Sequence, residues 1–312
     1  MSNIAPWLIP CLQQVQVLKQ TKSLSHALLV TGADGVGQEE LAREMVKDLM
    51  CEKDQLAACG DCHSCHLMQA ETHPDFRVLD GEASSIKVDQ VRLLVKQINQ
   101  KPQVGYNKVV LITHAQAMNI NAANAVLKAL EEPSDRTYFV LTSSQSTSLL
   151  ATIRSRCLLV NVPTPNLDEV KQWLTQQVDS KELTDLFWLT TQPFRLLSLQ
   201  KQGKAQLYAD LPDQLNNLLQ GSVSAQAMLK GLDSNNIEDY CNGLAAILHQ
   251  CICHSTGDSL DGALQDVYST LMTRLGIQGL MIRYQALQKL KSDLKKTNLN
   301  PIMQLTHELN QW

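Results

Sequence analysis

Five short apolar runs alternate with helical patterns along the first 163 residues of this chain. The helical patterns cover residues 39–50, 88–100 and 121–130, and the second repeats apolar side chains at helical spacing through Val91, Leu94 and Ile98. Short buried strands separated by helices are typical of a parallel sheet covered on both faces. We therefore predict an α/β domain over residues 1–163 with a parallel five-stranded sheet. The strands are predicted at residues 25–31, 75–80, 109–113, 138–142 and 157–162.

The pattern changes at Pro163-Thr164-Pro165, where two prolines within three residues indicate a linker. From there to Trp312 the helical patterns continue and we find no convincing strand. We predict a small helical domain over residues 164–208 and a larger all-α domain over residues 209–312.

Composition limits the compartment and the partners. The chain has 312 residues and a net charge of −4, so no overall basic field draws it to DNA or to a membrane. The N-terminus lacks the pattern of a signal peptide, and no run of 18 or more apolar residues occurs. We expect a cytoplasmic protein without membrane contact, whose nine cysteines stay reduced.

Four of these cysteines lie within residues 51–65, in the pattern C-x7-C-x2-C-x2-C. Such crowding lets four thiolates close on one tetrahedral ion, which predicts a structural zinc site. An iron–sulfur cluster is the main alternative, but its usual run continues with a further Cys and a Pro, where Gln69 and Ala70 stand. His63 and His66 lie close enough to compete as ligands. The predicted zinc ligands are Cys51, Cys59, Cys62 and Cys65.

A glycine-rich segment between the first strand and its helix has the G-x4-G spacing of a phosphate-binding loop. A working loop continues with Lys and then Ser or Thr, and the third strand carries acidic residues that organise the metal. Here the third strand ends in Thr113-His114. We predict a vestigial loop without ATP hydrolysis, and weak anion binding at the helix N-terminus stays open. The segment comprises Gly32, Gly35, Gly37, Gln38 and Glu39, with Gln38 and Glu39 in place of Lys and Ser or Thr.

Arg156 lies in a Ser-Arg-Cys turn just before the fifth predicted strand. A single arginine in a turn is usually solvated or salt-bridged. At the edge of a nucleotide-binding fold, however, its guanidinium can reach across a subunit boundary to a neighbour's phosphate. Arg154, two residues earlier, is the alternative donor.

Several strings together resemble the bacterial clamp-loader subunits, a family of the AAA+ group. They are Trp7, the cysteine loop after the first helix, His73-Pro74-Asp75, the run from Asn124 to Pro133, the strand at 138–142, and the residues 153–157 around Arg156. The resemblance covers nearly all of the first 163 residues. Beyond residue 165 it is thinner, and rests on residues 192–195 and on the closing Asn300-Pro301 segment.

The resemblance implies an AAA+ domain, a small helical lid and a helical collar that mediates oligomerisation. It implies a hetero-pentameric arc with motor subunits and a delta subunit, which opens a ring-shaped sliding clamp and places it on primed DNA for a replicative DNA polymerase. Within that arc, the missing Lys and acidic residues identify this chain with a subunit that does not hydrolyse ATP. Arg156 would then act in trans, as an arginine finger on the ATP of a neighbouring subunit.

Two other classes of function stay open. A stand-alone ATPase is disfavoured by Gln38, Glu39, Thr113 and His114. A zinc-bearing protein that binds nucleic acid alone would use scattered basic residues, which stand among acidic ones as on a solvated face. These residues are Lys87, Arg92, Lys96, Lys101 and Lys108.

Overall fold

The computed structural model describes residues 4–53, 55–82, 84–177, 181–232, 236–294 and 300–312. The chain forms two compact units, Met1–Glu169 and Val170–Trp312. The further division of the helical part at residue 208 into a lid and a collar stays a prediction.

The first unit is built on a parallel sheet of five strands in the order β2-β3-β4-β1-β5. This confirms the predicted sheet, with each boundary shifted by no more than two residues. The strands are β1 (Ala27–Thr31), β2 (Phe76–Asp80), β3 (Lys108–Thr113), β4 (Thr137–Ser143) and β5 (Leu158–Asn161).

Helices cover both faces of this sheet. On one face, Ala27 and Leu29 of β1 share a buried cluster with residues of α4 and α5, which are helices Val88–Ile98 and Ile120–Glu131. Because successive side chains of a strand point to opposite faces, Leu28 and Val30 face the other side, where α2 packs on β1, β3 and β4. The remaining helices of this unit are α1 (Ile9–Gln20), α2 (Gln38–Met50), α3 (His63–Gln69) and α6 (Ala151–Arg154).

The described residues of the second unit form helices joined by turns and loops, and no strand occurs among them. Its core forms where α13 (Ile237–Ser255) packs along α14 (Gln265–Leu294). The side chains of Leu244, Ile247 and Leu248 are fully buried there. This apolar series therefore belongs to the core of the unit itself. The helix α14 is interrupted at Gly276, whose φ of 61° and ψ of 176° are not helical. Within the described residues, no helix combines the length and the apolar character needed to cross a membrane.

The helices of this region begin with α7 (Leu167–Gln177), which contains the boundary between the units. They continue as α8 (Lys181–Thr184), α9 (Pro193–Lys201), α10 (Ala205–Ala209), α11 (Leu211–Leu219), α12 (Ala225–Met228), α13 (Ile237–Ser255), α14 (Gln265–Leu294) and α15 (Pro301–Leu309).

Candidate metal centre and arginine turn

The four predicted ligands come together. The sulfur atoms of Cys51, Cys59, Cys62 and Cys65 all lie within 4.8 Å of one another, and those of Cys59 and Cys65 are 3.9 Å apart. Four thiolates bound to one zinc ion at about 2.3 Å lie about 3.8 Å from each other. No histidine belongs to this group in the described part of the chain. The cluster therefore has the donor set and the size to hold one metal ion.

The local backbone turns these thiols toward one another. Cys51 ends α2 and Cys62 caps α3. Between Cys59 and Cys62 the chain turns through Gly60, whose φ of 74° lies in the left-handed region that favours glycine. The turn lets the Cys59 sulfur accept hydrogen bonds from the backbone N–H groups of Asp61 at 3.4 Å and Cys62 at 3.3 Å.

These hydrogen bonds favour the thiolate form that a metal requires. The backbone N–H of Asp61 is the largest cause that lowers the pKa of the Cys59 thiol to about 6. In contrast, burial raises the pKa of the Cys65 thiol to about 12. A bound divalent ion would hold all four groups deprotonated, because the charge of the ion outweighs the cost of burial.

A buried chain of hydrogen bonds anchors the cysteine segment to the sheet. The backbone N–H of Asp75 donates to Nδ1 of His73 at 3.1 Å, so the ring carries its proton on Nε2. That Nε2 donates to Oγ of Ser64 at 2.7 Å, and the Ser64 hydroxyl donates to the carbonyl of Met50 at 2.6 Å. Burial also lowers the pKa of His73, which keeps the ring neutral. His73 is thus a structural link next to the cysteine cluster and does not belong to it.

The carboxylate of Asp48 is a second anchor for the same segment. One of its oxygens accepts from the backbone N–H of Ala58 at 2.7 Å, and the other accepts from Nε2 of Gln16 on α1 at 2.7 Å. Lys19 donates to the carbonyl of Asp48. Burial is the main reason that the pKa of Asp48 is raised. These contacts tie the start of the cysteine segment to α1 and α2.

The glycine-rich loop is closed by the chain's own atoms. A Cβ at Gly32 would lie 3.0 Å from Cβ of Val162 and 3.0 Å from Cγ2 of Val36. The indole N–H of Trp7 donates to the carbonyl of Val36 at 2.8 Å, and Gln38 is buried. The absence of a side chain at Gly32 is therefore explained by close packing, without any ligand.

A contact between two of the chain's own side chains lies beside the glycine-rich loop. Glu39, in the first turn of α2, lies 3.0 Å from Nε2 of His114, which follows β3. The hydroxyl of Thr113 donates to Oδ1 of Asp80 at 2.7 Å, and Asp80 lies 3.8 Å from Nδ1 of His114. The Glu39 carboxylate also satisfies the positive end of the helix dipole, which an anionic ligand would otherwise meet.

Burial, hydrogen bonds and neighbouring charges shift the pKa values of the carboxylates at this edge. Burial is the largest cause that raises the pKa of Glu39; His114 opposes the shift, and nearby Glu82 and Asp80 add to it. The pKa of Asp80 is lowered, chiefly by the backbone N–H of Glu82 and then by the hydroxyl of Thr113. The local charge at this edge is therefore unfavourable to a triphosphate.

Arg156 lies at the other end of the sheet. It precedes β5, and its guanidinium is held by Oε1 of Glu131 at 2.6 Å and by the carbonyl of Thr152 at 3.1 Å. All five strands are parallel, so residues that precede strands lie at the amino edge and those that follow strands at the carboxyl edge. Gly32 and Glu39 follow β1 and lie at the carboxyl edge. At about 3.3 Å per residue, a strand of four residues separates the edges by roughly 13 Å.

Several contacts carry no clear signal in the sequence. Ser64 stands among the cysteines as an ordinary polar residue, and Asp48 appears as one more charge on an amphipathic helix. Glu131 belongs to the conspicuous run that ends at Pro133, but nothing in that run indicates Arg156 as its partner.

The strand order and the glycine-rich loop after β1 define an α/β protein with the layout of a phosphate-loop domain. Residues 10–166 match the family model described as DNA polymerase III, delta subunit. The chain is 33% identical to the DNA polymerase III subunit delta' of Pseudomonas aeruginosa, over 100% of this chain and 98% of the relative. It is also 33% identical to the subunit of that name from Haemophilus influenzae, over 96% and 93%. The chain therefore belongs to the family of DNA polymerase III delta' subunits.

Among solved structures, a gamma subunit-related protein of DNA polymerase III from Thermotoga maritima is similar at 20% identity. The similarity covers 96% of this chain and 98% of that one, with a TM-score of 0.48.

We predict that Ser64→Ala destabilises the first unit by about 1–3 kcal/mol, because the Met50 carbonyl and the His73 N–H lose their buried partner. The shift is measured as a lower unfolding transition of this unit in scanning calorimetry. Ser148→Ala is the control, since that hydroxyl is exposed and bonds only within its own turn, and we expect a change within about 0.5 kcal/mol. Equal transitions for both variants would contradict the anchoring role.

We also predict that Gly32→Ala costs about 1–3 kcal/mol, because the added methyl group overpacks the contact with Val36 and Val162. Gly262→Ala is the matched control. A Cβ at Gly262 meets nothing within 4 Å, and the backbone there is not left-handed. Calorimetry of both variants measures the difference in their unfolding transitions. If Gly32→Ala is as stable as the control, the loop can accommodate a methyl group at position 32 and the packing argument is wrong.

Proposed function

We propose that this chain is a non-hydrolysing subunit of the DNA polymerase III clamp loader, which helps to open the sliding clamp and place it on primed DNA. The observation that carries the proposal is the separation of two half-sites. A phosphate loop filled by the chain's own side chains lies at one edge of the sheet, and Arg156 lies at the other. An arginine so far from its own loop serves a nucleotide held by another subunit.

The proposed lack of hydrolysis follows from charge. Gln38 brings no cation to the β- and γ-phosphates, and Glu39 places a carboxylate where a hydroxyl would bind Mg²⁺. Glu39 is paired with His114, and Thr113 is paired with Asp80. To bind ATP with its metal, the site would have to break both contacts and accept more negative charge.

Arg156 is suited to act on a neighbour's phosphate. Its guanidinium is planar and stays charged, and it presents several donors at once. The side chain is 38% exposed despite its contacts, so it is accessible to a partner.

The proposed function also implies the partners of this chain. They are the motor subunits and the delta subunit in a hetero-pentameric arc, with residues 209–312 as the collar that packs against equivalent domains. The clamp and the primed DNA are met through the complex.

Zinc is the metal that we propose for the four cysteines. Four thiolates around one point suit a closed tetrahedral zinc site, which leaves no position for water and supports structure only. Each thiolate of a [4Fe–4S] cluster binds a different iron atom, so such a cluster needs wider spacing of the sulfurs. The ion would fasten together the end of α2 and the start of α3.

An independent nucleic-acid binder is a weaker candidate. Lys108 directs its ammonium group to the carbonyls of Ile98 and Gln100 and to the hydroxyl of Ser134. Arg92 lies 3.5 Å from a carboxylate oxygen of Asp89. Two of the five basic residues thus have partners within the chain.

We predict about one zinc ion per chain, by the coordination count of a four-cysteine site. The Cys62→Ser, Cys65→Ser double variant should lose this metal, because two remaining thiolates cannot close a tetrahedron. Metal analysis of protein purified without added metal measures the content. Cys253→Ser, outside the cluster, should keep the full amount. Full retention of zinc by the double variant would exclude these ligands.

We predict that Arg156→Ala slows the clamp- and DNA-stimulated ATP turnover of the reconstituted complex, and slows clamp loading. Arginine fingers are worth roughly 10³–10⁵ in rate at a single site, but other sites in the arc still turn over, so the overall loss should be far smaller. The variant should fold, keep its metal and join the complex. Arg156→Lys should restore little, since a point charge lacks the planar fork.

Arg154→Ala is the matched control for this test. Arg154 is exposed at the end of α6, and its loss should leave turnover unchanged. If the Arg156→Ala complex turns over ATP and loads clamps at wild-type rates, the proposed role of Arg156 is wrong. If Arg154→Ala shows the loss instead, the neighbouring arginine is the donor.

A further inference from the structure

The carboxylate of Glu131 occupies an unfavourable position on its helix. It belongs to the last residue of α5, where the helix dipole disfavours a negative charge. Pro133 follows two residues later and prevents the helix from continuing. At this position, however, the Glu131 side chain contacts Arg156, whose guanidinium lies 2.6 Å from Oε1 of Glu131. A local preference broken in favour of one specific contact is typical of a functional site.

Stability alone does not explain the pair. The side chains of Arg156 and Glu131 are 38% and 42% exposed, and ion pairs at such exposure contribute little to folding. The contact does, however, restrict the arginine. Without this contact, the long side chain of Arg156 would sample many rotamers. Binding to a phosphate would then cost the conformational entropy of those rotamers.

The geometry holds the guanidinium from two sides and leaves part of it open. One terminal nitrogen donates to the carbonyl of Thr152 at 3.1 Å, and the other contacts Glu131. A guanidinium has five N–H donors. Among the described residues, these are the two polar contacts of the Arg156 guanidinium. Its remaining N–H donors are therefore available to an anion that approaches from another subunit.

We propose that Glu131 is a positioning residue that orients Arg156 toward the nucleotide of the neighbouring subunit. The inference rests on the proposed function of Arg156 and adds its orienting partner. Glu131 touches neither substrate nor metal and transfers no proton. It fixes the plane of the guanidinium before the two subunits associate. The conformational entropy of the Arg156 side chain is therefore lost when this chain folds, and not when the subunits bind each other.

The test is Glu131→Gln in the complex reconstituted with the other clamp-loader subunits. Glutamine keeps the shape and can still accept one hydrogen bond, but it removes the charge. Misplacement by about 1 Å can cost 10²-fold at a single site. Since other sites still turn over and Glu131 acts only through Arg156, we expect the stimulated turnover to fall by at most the factor that Arg156→Ala costs. Glu131→Asp keeps the charge on a shorter side chain and should give an intermediate rate.

The readout that separates positioning from mere support is the double variant. In the Arg156→Ala background, Glu131→Gln should have no further effect, because its only route to the reaction has been removed. Glu132→Gln is the control: it removes an adjacent exposed carboxylate and should leave the rate unchanged. Unfolding temperature and metal content should match the wild type in all these variants.

The outcomes distinguish the inference from the function on which it rests. If Arg156→Ala leaves turnover at the wild-type rate, the function proposed for Arg156 fails. If Arg156→Ala slows turnover but Glu131→Gln does not, only the positioning role fails. A faster Glu131→Gln complex would show that the carboxylate restrains the arginine, which also overturns the inference. Equal losses from Glu131→Gln in the presence and the absence of Arg156 would assign Glu131 another role.

Discussion

The parallel direction of all five strands decides which residues of this protein can meet. Side chains that follow a strand gather at one edge of the sheet, and those that precede a strand gather at the other. Glu39, Asp80 and His114 each follow a strand or stand at its end, and they form one charged cluster. Glu131 and Arg156 each precede a strand, and they form a separate pair. The two groups are kept apart by the length of the strands themselves.

The cysteine segment depends on a different kind of constraint. A metal ion can draw four thiolates together, but it does not determine how the resulting loop lies against the rest of the domain. That task falls to Ser64, His73 and Asp48, whose hydrogen bonds reach α2, the residue just before β2, and α1. Their burial makes each contact costly to lose. A bound metal ion would thus fix the four thiolates, and the hydrogen bonds fix how the loop lies against the domain.

Much of this architecture follows from local patterns. The apolar runs predict all five strands because a buried parallel strand needs a nearly continuous apolar stretch, as in Ala27–Thr31. The ligands Cys51, Cys59, Cys62 and Cys65 are predicted because short spacing limits how they can be arranged. The difference between this loop and the phosphate-binding motif can also be read from the sequence, since Gln38 and Glu39 stand at known offsets from Gly32.

The contacts between distant segments are harder to predict. Glu39 and His114 are 75 positions apart in the chain, and Glu131 and Arg156 are 25 apart. Each pair forms only because the sheet brings two loops to the same edge, and neither residue of a pair carries a local mark of its partner. The same reason makes the role of Ser64 hard to predict, because its partners are Met50 at the end of α2 and His73 in the loop before β2.

The glycine-rich loop and Arg156 lie at opposite edges of the sheet, so the two edges of the protein offer different surfaces to a neighbouring subunit. Subunits that join by unlike surfaces form a ring or an open series, and each contact uses the donor face of one copy and the acceptor face of the next. In the proposed assembly, a chain with a working Arg156 edge and a filled loop at the other edge can complete a neighbour's site, but no neighbour can complete a site on it. Such a chain ends the run of nucleotide-bearing interfaces, and its side chains thereby limit how many sites the arc contains.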